Sequence, residues 1–108
     1  MNKERIIKES KEFTEIINKQ NSVKNKYFSI YYAKSDSDNK YGITIPKKIG
    51  KANIRNKLKR QAKSIIMTNE KNIPKGINYV IIIKEATLLL SYNDMAKELL
   101  ELIKKVGK

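Results

Sequence analysis

The chain has 108 residues, 24 of them Lys or Arg and 11 Asp or Glu, for a formal net charge of +13. It contains no cysteine and no histidine, which excludes a disulfide framework and a thiolate metal site and removes the commonest general base and metal ligand. Its longest apolar run is "YVIII", residues 79 to 83, far short of the ~20 residues a membrane span requires.

The N-terminal stretch "MNKERIIKESKEF" has no continuous apolar segment and does not read as a signal peptide. A single cytoplasmic domain spanning residues 1–108 is therefore expected. Residues 10 to 18 read as a short helix, with Phe13, Ile16 and Ile17 at i, i+3 and i+4. "KQNSVKNK" is a turn-rich break with room for a short strand at Val23. "YFSIYYA", residues 27 to 33, is a strand by its aromatic and β-branched content. Period-2 alternation puts Phe28, Ile30 and Tyr32 on one face and Tyr27, Ser29 and Tyr31 on the other.

"KSDSDN" is a loop of turn formers. Its Asp36 and Asp38 are better read as solvating the loop than as holding a metal. "KYGITIP" is a second strand, which Pro46 must end because it cannot donate to a ladder. A connection, "KKIGKAN", leads into a helix over about residues 51 to 68. Pro74 and Gly76 break the chain before "INYVIII", a strand whose unbroken apolar run predicts burial on both faces. A last helix starts near Ser91, where Ser91 and Asp94 suit a capping-box-like start. Met95, Leu99, Leu102, Ile103 and Val106 recur as its core stripe. Strands with intervening helices predict an α+β fold, helices packed on one sheet.

The charge is localised. Residues 39 to 69 hold no Asp or Glu but nine basic residues: Lys40, Lys47, Lys48, Lys51, Arg55, Lys57, Lys59, Arg60 and Lys63. A concentrated excess of this kind is the footprint of a polyanion-binding face. Nucleic acid is the leading partner, with phosphate or sulfate as simple anions for the same groups. An anionic membrane ranks second, unsupported by any Trp or by a Lys-rich helix backed by bulky apolar residues.

At 100° per residue, Arg55, Lys59 and Lys63 fall within an arc of about 80°. Ile54, Leu58, Ala62 and Ile65 form an adjacent apolar stripe. Lys57 lies on the other flank of that stripe, and Arg60 points away from the sheet. No Glu–Lys pairs at i,i+4 relieve the repulsion, although these are the usual device on a merely solvated helix face. Lys47, Lys48 and Lys51 add charge at the helix start, where free backbone amides also favour anions. Asn56 differs from its neighbours in being able to read a base edge or a 2′-hydroxyl.

The stretch "PKKIGKANIRNKLKRQAK" resembles the signature of the protein subunit of bacterial ribonuclease P, roughly K-K-x-G-x-A followed by R-N-x-x-K-R. The matching residues are Lys47, Lys48, Gly50, Ala52, Arg55, Asn56, Lys59 and Arg60. "SKEF", "SVKNKYFSIYY", "YGITIPKKIG" and "GINYVIII" extend the resemblance over nearly the whole chain. Where the family usually carries Arg, this chain has Lys57 and Lys63, which keep the charge but lose the planar fork. Ile17 stands where relatives often have a second aromatic residue.

The resemblance implies an α-β-β-β-α-β-α two-layer sandwich with a left-handed β-α-β crossover through the basic helix, against the ordinary right-handed rule. It implies a subunit of a ribonucleoprotein that hydrolytically removes the 5′ leader of precursor tRNA. The RNA subunit is the catalyst and, with the substrate, the main holder of Mg2+; the protein has no catalytic residue. The basic helix and its preceding loop would dock on the ribonuclease P RNA. The family's leader cleft is expected between sheet and basic helix. Phe13, Tyr27 and Tyr31 are the candidates to stack on single-stranded leader bases, Phe13 and Tyr31 the stronger two. A ribosomal or tRNA-binding module would share the charge, and a helix-turn-helix DNA binder would need a helix just before the basic one, where the sequence places a strand.

Overall fold

The computed structural model describes residue 16, residues 21–34 and residues 39–106. Four strands are present among the described residues: β1 (Ser22–Lys24), β2 (Phe28–Lys34), β3 (Lys40–Thr44) and β4 (Ile77–Ile83). Two helices follow β3 and β4 respectively: α1 (Ala52–Thr68) and α2 (Tyr92–Ile103). The sheet order is β1-β2-β4-β3. β2 is antiparallel to both β1 and β4, while β3 runs parallel to β4. Helix α1 is thus the crossover between two parallel neighbours, which a tight turn could not connect.

The apolar run of β4 has its cause in this topology. β4 is paired on both sides, Ile81 opposite Ile30 of β2 and Ile43 of β3. Both its faces are covered, so the strand shows no polar alternation. The two sheet faces are nevertheless different. One carries Phe28, Ile30, Tyr41, Ile43, Tyr79, Ile81 and Ile83, which pack with Leu58, Ala62, Ile65 and Ile66 of α1 and with Met95, Leu99, Leu102 and Ile103 of α2. The other carries Ala33 and Val80, which form a separate cluster with Ile16, flanked by Tyr31 and Ile82. Ile16 is helical and 5% exposed. Both α1 and α2 therefore lie on one face, and Ile16 covers part of the opposite one.

Three polar devices set the register. Asn25 Oδ1 accepts from the backbone N–H of Tyr27 and of Phe28, at 2.8 and 2.7 Å, and shapes the turn between β1 and β2. Buried Asn39 closes β3 onto the segment before β4: its Nδ2 donates to the Pro74 carbonyl at 2.9 Å, and its Oδ1 accepts from the Ile77 N–H at 2.9 Å. The Tyr79 hydroxyl donates to the same carbonyl at 2.6 Å, and its ring stacks on Tyr41 with centroids 5.5 Å apart. Gly76, at φ 73°, supplies the left-handed turn that lets β4 begin at the next residue.

The last helix starts as its sequence requires. The Ser91 side chain accepts from the Asp94 N–H at 3.2 Å, one of the four amides a helix start leaves unpaired.

Candidate nucleic-acid interface

The basic surface begins at a single 3₁₀ turn, Lys47–Ile49. Ile49 is buried and anchors the turn, which leaves Lys47 and Lys48 exposed. The chain then passes close to α1. A Cβ built on Gly50 would lie 3.2 Å from Ile54 Cδ1 and 3.4 Å from Ile54 Cβ, so glycine suits the close approach. The Gly50 carbonyl accepts from Arg55 Nε at 3.2 Å. Arg55 is half-buried and ties the lysine-bearing turn to the helix that follows it.

Helix α1 starts without a side-chain cap. Lys51 occupies the cap position, and no acid stands in the first turn. The Ile54 amide donates to the Lys51 carbonyl at 3.0 Å, the amides before it are left to solvent or an anion, and the partial positive charge of the helix start adds to the lysines. Further along, Asn53, Asn56, Lys59, Arg60 and Lys63 line one shallow concave surface. Lys63 is half-buried and the other four are exposed. With no carboxylate from residue 39 to residue 69, nothing in this stretch of chain neutralises the patch.

Most of the basic residues expected at this face are gathered here. Lys59, Arg60, Lys63 and Asn56 share the concavity, and Lys47, Lys48, Lys51 and Arg55 lie at the helix start. Lys57 is exposed but is not among the residues lining it. Arg60, which the helical spacing turns away from the sheet, belongs to the patch. Asn53 was missing from the sequence-based set; its signal was its place one turn before Asn56. Ile54 departs from the expected apolar stripe at 39% exposure. The buried residues of α1 are Leu58, Ala62, Ile65 and Ile66, while Ile54 lies against Gly50.

The aromatic candidates are divided. Tyr31 is half-buried beside Ala33 and Val80, on the sheet face away from α1. Its ring lies under Lys24 Nζ, 5.5 Å from the centroid. This corrects the expectation of a cleft between sheet and basic helix. That space is filled by core side chains, Phe28 among them. Tyr27 and Tyr31 do not share a face either. Tyr27 precedes β2, in the Asn25 turn, so strand alternation does not reach it, and its ring packs against the helix-side core. Phe13 lies outside the described residues, as do Asp36 and Asp38.

Among the described residues, no group of three or more acidic, His or Cys side chains is placed to hold a metal ion. Lysines, arginines and amides repel or only weakly coordinate a divalent cation, so the donor set of the basic face does not fit Mg2+.

The family model for ribonuclease P matches residues 1–107. The ribonuclease P protein component of Mycoplasma mycoides is 41% identical over 108 residues, covering 98% of this chain and 99% of that protein. The corresponding component from Clostridium botulinum is 33% identical over 107 residues, covering 97% and 96%. Among solved structures, the RNase P protein from Thermotoga maritima superposes with a TM-score of 0.88 at 31% identity, over 94% of this chain and 97% of that one. The RNase P protein from Staphylococcus aureus does so with a TM-score of 0.88 at 25% identity, over 95% of each.

Proposed function

The chain belongs to the ribonuclease P protein family, and from that premise we propose a division of labour between its two sheet faces. Members of the family are the protein subunit of the RNA–protein enzyme that processes the 5′ end of tRNA, an endonuclease and hydrolase whose catalyst is the RNA. On the helix side, Lys47, Lys48, Lys51, Arg55, Asn56, Lys57, Lys59, Arg60 and Lys63 dock on the ribonuclease P RNA. On the opposite side, Tyr31 meets the single-stranded 5′ leader of precursor tRNA.

The observation that carries the docking surface is the acid-free concavity of Asn53, Asn56, Lys59, Arg60 and Lys63. Arginine and lysine neutralise phosphates, and the amides can bond to 2′-hydroxyls or base edges. Inorganic phosphate or sulfate occupies the same positions in weaker form. Stacking on an aromatic ring is the usual way to hold a single strand without reading its sequence, which suits a leader that varies among substrates.

Ribonuclease P is a Mg2+-dependent enzyme. We place that cation with the RNA subunit and the substrate. Protein cations on the RNA replace part of the counterion atmosphere, and this lowers the Mg2+ the assembly needs. The protein works in the cytoplasm, where its RNA partner and tRNA are made; no described helix is long and apolar enough to cross a membrane.

Reconstitution tests the proposal. Leader removal by a cognate ribonuclease P RNA is followed across a Mg2+ titration, with and without the protein. The midpoint is expected to move to lower Mg2+ when the protein is present. An unchanged midpoint would overturn it.

A further inference from the structure

Among the described residues β1 is one of the two edge strands of the sheet, and its Lys24 pairs in register with Ser29 while Ser22 pairs with Tyr31. Lys24 and Tyr31 are therefore diagonal neighbours on one face, within reach of each other for long side chains. The exposed ammonium of Lys24 sits 5.5 Å from the centre of the Tyr31 ring. Among the described residues no carboxylate pairs with it. The β1 and β2 side chains beside the two, Ser22 and Ser29, are small, and Tyr31, packed against the cluster of Ile16, Ala33 and Val80, is half-buried and keeps part of its surface exposed.

A nucleotide base and an ammonium cannot occupy the same ring face. Lys24 is attached to an edge strand and, among the described residues, is held there by a cation–π contact alone, which is weak at an exposed site. Base stacking on an aromatic ring is the stronger of the two interactions. A base arriving on Tyr31 displaces the ammonium by a few ångströms, and the phosphate attached to that base arrives with it.

Resting on the leader-side reading given above, we infer that Lys24 is a specificity-determining residue for leader-bearing substrate. It covers the Tyr31 ring in the free protein and transfers to a leader phosphate when a base takes its place. The ring then holds the base and the ammonium its backbone. Neither contact depends on base identity, so the pair selects for a single-stranded polynucleotide rather than for a sequence.

The test uses the protein assembled with its RNA subunit. Binding of leader-bearing and leaderless tRNA is measured across a salt series for the wild type, Lys24→Met, Lys24→Arg and Tyr31→Ala. Tyr31→Ala is expected to weaken leader-bearing substrate by about five- to hundredfold. Lys24→Met is expected to weaken it by about two- to fivefold and to reduce the salt slope by about 0.7, the value for one charge on a single strand. Lys24→Arg restores the slope, and leaderless tRNA is unaffected by all three. If Lys24→Met binds leader equally or more tightly with an unchanged slope while Tyr31→Ala loses affinity, the leader platform stands and Lys24 is only its cover. A Lys24→Met loss without a Tyr31→Ala loss overturns the pairing of the two groups. No leader-dependent loss in either variant overturns the leader-side reading itself.

Discussion

Arg55 donates through Nε to the carbonyl of Gly50 over 3.2 Å, closing the lysine-bearing turn onto the helix that follows it. One side chain thereby orients both parts of the proposed docking surface. Arg55→Lys keeps the charge but lacks both the Nε donor and the planar fork. It is expected to weaken affinity for the RNA subunit by about 1.5–3 kcal/mol, the scale of a charged hydrogen bond. Filter binding at fixed salt measures this, and affinity equal to the wild type would show that charge alone suffices.

The uncapped start of α1 sets up an opposition between stability and binding. Lys51 occupies a position where an acidic or hydroxyl side chain would normally cap the helix. Lys51→Asp supplies an acceptor for the first-turn amides and a negative charge at the positive helix end. Its expected effect is a gain of about 0.5–1 kcal/mol in stability. RNA affinity should fall in the same variant. Denaturant unfolding and RNA binding, measured side by side, are expected to move in opposite directions.

Asn39 joins β3 to the segment before β4 through three side-chain hydrogen bonds, to Pro74, Ile77 and Tyr41. Asn39→Ala strands the Ile77 amide in a half-buried setting. The expected cost is about 2–4 kcal/mol, combining three lost bonds with a half-buried donor left without its partner. Urea unfolding should show a lower midpoint with an unchanged slope.

Tyr79 gives the fold an alkaline limit. Burial, with nearby Tyr41 adding to it, raises its hydroxyl well above the ordinary tyrosine value of 10.0. In the unfolded chain the hydroxyl ionises near 10, while in the folded chain it stays protonated. The unfolded state then binds fewer protons, so stability is fully present below pH 10 and declines above it. The slope approaches about 1.4 kcal/mol per pH unit. Tyr79→Phe loses its bond to Pro74 and is less stable at neutral pH, but its stability should fall less steeply above pH 10. Parallel alkaline profiles for the two proteins would rule out this role for Tyr79.

Several elements were legible because their causes are local. The stretch "INYVIII", residues 77 to 83, is β4 without a residue's error, since a strand paired on both sides needs no polar face. Ser91 caps α2 as its spacing to Asp94 implied. The basic face was legible in the missing acids of residues 39 to 69. What escaped depends on distant partners. Asn39 reads as part of a polar loop, and its role appears only through bonds to residues 35 and 38 positions away. Tyr27 looked like a strand residue because alternation cannot show that the strand starts one residue later. Ile54 fitted the apolar stripe of α1, yet it lies against Gly50 and is 39% exposed. The separation of Tyr31 from the basic helix required knowing which sheet face α1 covers, a consequence of topology rather than of periodicity.

The separation of the two faces is tested most directly by affinity for the isolated ribonuclease P RNA. Lys59→Gln, Arg60→Gln and Lys63→Gln combined are compared with Tyr31→Ala across a salt series. The triple variant is expected to lose at least about tenfold in affinity and to lower the salt slope by about 2 to 3, while Tyr31→Ala binds this RNA like the wild type. An equal loss in Tyr31→Ala, or an unchanged slope in the triple variant, would contradict the assignment of RNA docking to the helix face.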